Sequence, residues 1–169
     1  MVIDFHTHMF PERIAKGTLD FLASVCNTEP YTDGTYDGLK LSAEISAVDV
    51  SVALPIVTKP SQFGSVNEFA ARYNSLGESI VSFAGIHPDS EDYKADLKQI
   101  KEMGFLGIKL HPDYQEVYFN DIRYKRIISC ASDLGLIVSV HAGEDPKCPD
   151  DVHCTPVMAA EVIDVVCPE

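Results

Sequence analysis

Short runs rich in Val and Ile recur along the chain at Val2 to Phe5, Ser51 to Val57, Ile80 to Ile86, Phe105 to Leu110 and Leu136 to Val140. Each has the length of a buried strand. Helical patterns fill the gaps between them. Pro11 opens a predicted helix through about Val25, and after a Gly- and Thr-rich loop Leu39 to Val48 reads as a second. Ser65-Val66-Asn67-Glu68 has capping-box spacing before an Ala-rich helix. Asp89 or Ser90 caps a helix to Met103 with Gly104 as its stop, and Asp121 opens one that ends at Leu134-Gly135. Thr155-Pro156 places a cap and a helix-compatible proline before Val157 to Val166. Strands alternating with helices predict a parallel sheet built from five β-α units.

The length of 169 residues, 46% of them hydrophobic, suits one domain with one sizeable core. The chain shows no linker, low-complexity tract or short repeat. The long first insertion, Met9 to Gly38, with Tyr31, Asp33, Gly34 and Tyr36, reads equally as a functional loop or a surface excursion. Thirteen Lys and Arg against 26 Asp and Glu give a formal charge of −13, which repels phosphate backbones and anionic lipid. Nucleic acid and membrane are therefore excluded as expected partners. The N-terminus enters a strand without a signal-like segment, and no stretch approaches the roughly 20 apolar residues of a membrane span. Cytoplasmic residence is the expectation. Cys26, Cys130, Cys148, Cys154 and Cys167 are odd in number and scattered, which reads as reduced thiols.

The histidines carry the chemistry. Asp4, His6 and His8 are spaced two apart at the first strand and share one face by its alternation. Two imidazoles so placed bind one ion, and a neighbouring carboxylate orients a ligand through its second ring nitrogen. His87, His111 and His141 each fall at the C-terminal end of a predicted parallel strand, where α/β barrels gather catalytic groups. Only His153 lies elsewhere.

Asp4-Phe5-His6-Thr7-His8, Gly107-Ile108-Lys109-Leu110-His111-Pro112 and Val140-His141-Ala142-Gly143 together resemble the small metal-dependent amidohydrolases, within the amidohydrolase-related TIM-barrel group that also contains decarboxylases and hydratases. The resemblance implies a TIM (β/α)8 barrel, with residues 1–169 as one domain that stops after about five β-α units and lacks strands six to eight. A full barrel needs about 250 residues. The resemblance also implies that His6, His8 and His141 bind the metal, and that the sixth-strand histidine and the eighth-strand aspartate, the general base, lie outside this chain. Zinc is the first choice of ion for such ligands and manganese the alternative.

Asp4, His87, Lys109 and His111 are expected to contact substrate or support the ligands. Lys109 is the sole candidate for the carboxylated bridging lysine of some dinuclear members, a role the mononuclear resemblance disfavours. Gly85-Ile86-His87-Pro88 is similar to a string in the TatD-like nucleases, but the glutamate ligand of those proteins has no counterpart between Gly107 and His111. Cys148, His153 and Cys154 read as loop packing or substrate contacts rather than a separate zinc site, and Glu144 and Asp145 as rim carboxylates. The first expected activity is hydrolysis of a C–N or ester bond in a small molecule through a metal-activated water. Decarboxylation or hydration at the same site and a non-catalytic half-barrel are the alternatives. Unclosed sheet edges also predict association, including with a second copy of the chain.

Overall fold

A computed structural model describes residues 1–77 and 79–166 of the protein. The apolar runs become the parallel strands β1 (Ile3–Thr7), β2 (Val50–Ala53), β3 (Ile80–Ser82), β4 (Ala84–Gly85), β5 (Gly107–Leu110) and β6 (Ile137–Val140). Helices α1 (Glu12–Cys26), α2 (Tyr36–Ile45), α3 (Phe63–Asn74), α4 (Tyr93–Glu102), α5 (Pro112–Gln115), α6 (Ile122–Asp133) and α7 (Pro156–Val166) lie between and after them. These elements make five β-α units, an incomplete form of the (β/α)8 barrel.

The third apolar run is one strand with a break. Its first half, β3, pairs with β2, and its second half, β4, pairs with β5. Phe83 alone separates the halves, and its N–H still donates to the Ala53 carbonyl at 2.9 Å. The polar face of α3 stitches this junction. Asn74 bonds both the N–H and the C=O of Ser82, at 2.6 and 2.9 Å, and Asn67 does the same for Gly85, at 2.8 and 2.9 Å. Backbone groups that the break takes out of strand pairing are thereby satisfied.

Buried side chains lie on both faces of the sheet, as expected for parallel strands. Ala53 and Ile80 pack with Tyr36 and Leu39 of α2, whereas Val52, Leu54 and Phe83 form a separate cluster. The main core joins Ile108 and Leu110 of β5 to Leu97 and Ile100 of α4 and Tyr124, Ile127 and Ala131 of α6. The two edge strands are open: Ile3 of β1 and Ile137 of β6 are each 52% exposed. Among the described residues, no helix is long and apolar enough to cross a membrane.

Several helix starts differ from the expected ones. Ser65 lies inside α3, which begins at Phe63 after a turn of 3-10 helix over Pro60–Gln62, and its hydroxyl donates to the Gln62 carbonyl. The helix expected from Leu39 starts at Tyr36, because Thr35 accepts from the Gly38 N–H at 3.1 Å and caps it. Asp92 caps α4 in place of Asp89 or Ser90, accepting from the Ala95 N–H at 3.0 Å. Asp121 caps α6 as expected, and the Thr155 hydroxyl accepts from the Met158 N–H at the start of α7. In the first insertion Tyr31 is fully exposed, whereas Tyr36 is buried and stacks on Tyr73 with ring centroids 4.4 Å apart. Cys26, Cys130, Cys148 and Cys154 are free thiols, and Cys167 lies outside the described residues.

Candidate functional site

The C-terminal ends of the strands bring the singled-out residues to one rim. His6 lies on β1 where the pairing with β2 shifts register between Asp4 and Thr7, and His8 follows directly. Their rings meet at an angle of 62° with centroids 5.1 Å apart. Asp4 is exposed, and its carboxylate accepts from the His6 backbone N–H at 3.2 Å. It thus braces the strand bulge.

Opposite, β5 supplies Lys109 and His111, and β6 supplies His141. Lys109 is 1% exposed and its ammonium nitrogen has no hydrogen-bond partner among the described residues. The His111 and His141 rings stack almost parallel, 5° apart with centroids separated by 4.1 Å, and Tyr114 covers the other contact of His111 at 3.9 Å. His111 is held from behind. Its N–H donates to the Gln115 side-chain oxygen at 3.0 Å, and the Gln115 amide donates to the carbonyls of Val57 and Ile86 at 2.9 and 2.7 Å. The Tyr124 hydroxyl donates to the same Gln115 oxygen at 2.8 Å. One buried amide in α5 therefore ties together the chain segments after β2, β4 and β5.

Two aspartates complete the rim. Asp145, 5% exposed, has one carboxylate oxygen 3.6 Å from His141 Nε2 and 3.9 Å from His111 Nε2. Its other oxygen accepts from the Lys147 N–H at 2.9 Å. It is thus an inward-facing carboxylate, not the solvated rim charge expected of it. Asp113, fully buried, pairs with His153 Nδ1 at 3.1 Å through one oxygen, and its other oxygen lies 3.9 Å from His141 Nε2. His153, which the sequence places away from the strand ends, thereby joins the site at one remove and stacks on Tyr118.

Crowding by protein dominates the electrostatics. Burial pushes the His111 pKa down to about 3, helped by the neighbouring charges of His141 and Lys109. His8 is exposed over the residue as a whole, yet desolvation is still the largest cause of a pKa near 4, followed by the charges of His6 and Lys109. His6 is shifted down, by desolvation first and then by Lys109. Burial lowers Lys109 to about 8. These imidazoles are neutral at pH 7, the state in which they bind metals.

Three donor atoms, from His111, His141 and Asp145, lie within 4.8 Å of one another. His6 and His8 sit close enough to His141 for their charges to interact but are outside this tight group. His87 is also apart: it is 6% exposed, and its Nδ1 accepts from the Asp89 N–H at 3.1 Å, which makes it a rim-bracing histidine. The Lys109 nitrogen, one Asp113 oxygen and His141 Nε2 are buried without hydrogen-bond partners among the described residues. Orphaned atoms of this kind, beside neutral imidazoles and carboxylates, fit a divalent ion and an anionic ligand. Asp113 and Gln115 carried no recognisable signal in sequence, apart from the proximity of Asp113 to the His111-Pro112 motif, whereas His153 was expected only as loop packing or a substrate contact.

Solved structures of low sequence identity share this fold. A point variant of the 5-carboxyvanillate decarboxylase of Novosphingobium aromaticivorans, with bound manganese and 3-methoxy-4-hydroxy-5-nitrobenzoic acid, gives a TM-score of 0.65 at 15% identity, over 96% of this chain and 55% of that one. The IDCase of Metarhizium anisopliae in apo form gives 0.63 at 15% identity, over 83% and 50%. A 2,6-dihydroxybenzoate decarboxylase complexed with 2,6-dihydroxybenzoate gives 0.59 at 12% identity, over 97% and 54%. The chain spans about half the length of each. No curated protein matches it significantly in sequence. The family model described as amidohydrolase matches residues 3–169, and the chain belongs to that family.

Proposed function

We propose that this chain forms the metal-binding part of a divalent-metal-dependent decarboxylase acting on a small carboxylic acid. The observation that carries the reading is Lys109, a buried ammonium without a hydrogen-bond partner among the described residues and set among neutral imidazoles. An uncompensated buried cation costs several kcal/mol unless a ligand's negative charge meets it, and a carboxylate is the charge such a site selects. The decarboxylase activity named for two of the structural neighbours supports the choice over hydrolysis.

His6, His8 and His141 would hold the ion, which supplies a Lewis acid for the substrate's oxygens when bound. Zinc suits the imidazoles, and manganese is the ion in the Novosphingobium relative. Lys109 holds the substrate carboxylate against the β5 wall. Loss of CO2 leaves a carbanion that requires one proton, and Lys109, with a pKa near 8, carries one at neutral pH. His111, neutral at that pH, orients the substrate and gives no proton.

The test is to incubate the complete gene product, loaded with manganese or zinc, with hydroxylated benzoic acids and, separately, with amides and esters. CO2 release with the acids is expected. Amide or ester cleavage without CO2 from any acid would transfer the chain to the hydrolase reading, and tight metal binding without either reaction to a binding module. The ligand assignment has its own check. Replacing both His6 and His8 with alanine is expected to weaken manganese binding at least about tenfold, and unchanged affinity would remove the first-strand pair from the site.

A further inference from the structure

We infer that the rim contains a cation position of its own, formed by His111, His141 and Asp145 with Asp113 behind them, which binds a divalent ion without His6 and His8. Two donors bound to one tetrahedral ion at about 2.1 Å stand about 3.4 Å apart. Asp145 lies 3.6 Å from His141 Nε2 and 3.9 Å from His111 Nε2, and all three donor atoms fall within 4.8 Å. These separations are too long for hydrogen bonds and close to the spacing of atoms sharing an ion. A second observation points the same way. The free oxygen of fully buried Asp113 and His141 Nε2, 3.9 Å apart, are both without hydrogen-bond partners among the described residues.

The surroundings set the geometry. Asp145 is aimed by the Lys147 N–H, Asp113 by His153, and the His111 ring by Tyr114 and Gln115. The Tyr114 N–H donates to His111 Nδ1 across 3.4 Å, a long bond that an ion bound at Nε2 replaces by moving the ring proton to Nδ1. Lys109 opposes a cation here, whereas the Asp145 and Asp113 carboxylates beside His141 Nε2 favour one. His141 belongs to both this group and the first-strand set, so the two positions exclude each other and the rim position is exposed by removing the first-strand pair. Neither position depends on the reaction proposed above.

The experiment uses the His6→Ala/His8→Ala chain, titrated with manganese by the loss of free-ion paramagnetic resonance and with cobalt by its visible bands. One saturable equivalent is expected, weakened at least about tenfold by adding Asp145→Asn and by a smaller factor with Asp113→Asn. Absence of saturable binding up to about 1 mM, or equal affinity with and without Asp145→Asn, would overturn the inference while leaving the decarboxylase reading untouched. If circular dichroism shows that the alanine variant does not fold, His6→Asn/His8→Asn takes its place with the same outcomes.

Discussion

Replacing Gln115 with alanine is expected to be among the most damaging single changes to this protein that spare every metal-binding side chain. Gln115 is 4% exposed and makes four hydrogen bonds, donating to Val57 and Ile86 and accepting from His111 and Tyr124. A typical intramolecular hydrogen bond contributes about 1 kcal/mol net, and stranding a buried partner costs about 1–3 kcal/mol. Four such bonds put the loss at about 4 kcal/mol, a large share of the 5–15 kcal/mol that holds most domains folded. At about 2–4 °C per kcal/mol for a chain of this size, the thermal midpoint followed by circular dichroism falls by about 8–16 °C. Gln115→Glu keeps the volume but turns a carboxylate toward the Val57 and Ile86 carbonyls, so it does not rescue. In the His6→Ala/His8→Ala chain, metal affinity at the rim position falls with it, because Gln115 fixes the His111 backbone. A shift below about 4 °C, or full rescue by glutamate, would refute the idea that one amide ties the three segments together.

Lys109→Met is expected to stabilise the protein at pH 7 by roughly 1–3 kcal/mol, since it removes a buried unpaired charge while filling the same space. The folded pKa near 8 lies below the unfolded value of 10.5, so wild-type stability rises with pH between these values and the full penalty is present at pH 7. A lower midpoint for Lys109→Met at pH 7 would contradict this. Acid acts through His8 and His111, whose folded values near 4 and 3 lie below the ordinary 6.5. The unfolded chain therefore binds protons that the folded chain does not, and metal-free protein loses stability as pH falls from about 6.5 toward 4. A flat thermal midpoint across that window would show that these imidazoles are not desolvated.

The five apolar runs were legible because parallel strands buried on both faces leave an unbroken apolar signature, and each run matches a strand to within a few residues. The break at Phe83 was not, since apolar patterning does not distinguish pairing with β2 from pairing with β5. Helix starts slipped where the cap was set by geometry: Thr35 and Asp92 outcompeted candidates with equally suitable side chains. Histidines at strand ends marked the rim, because barrel chemistry gathers there. Spacing could not show which imidazoles converge on a common point, and it gave no hint of Asp113 or Gln115. Both lie in the short helix α5, whose four residues are too few to leave a periodic pattern.

The asparagine stitching beside Phe83 has a kinetic consequence. The amides of Ser82 and Gly85 are held by side chains of α3, at 2.6 and 2.8 Å, and not by a neighbouring strand. Their exchange with solvent deuterium is therefore gated by the undocking of one helix, whereas amides bonded across β5 and β6 exchange only when the sheet itself opens. Two positions within four residues of each other thus serve as internal clocks for α3, and Asn67→Ala would speed the Gly85 clock while leaving that of Ser82 nearly unchanged.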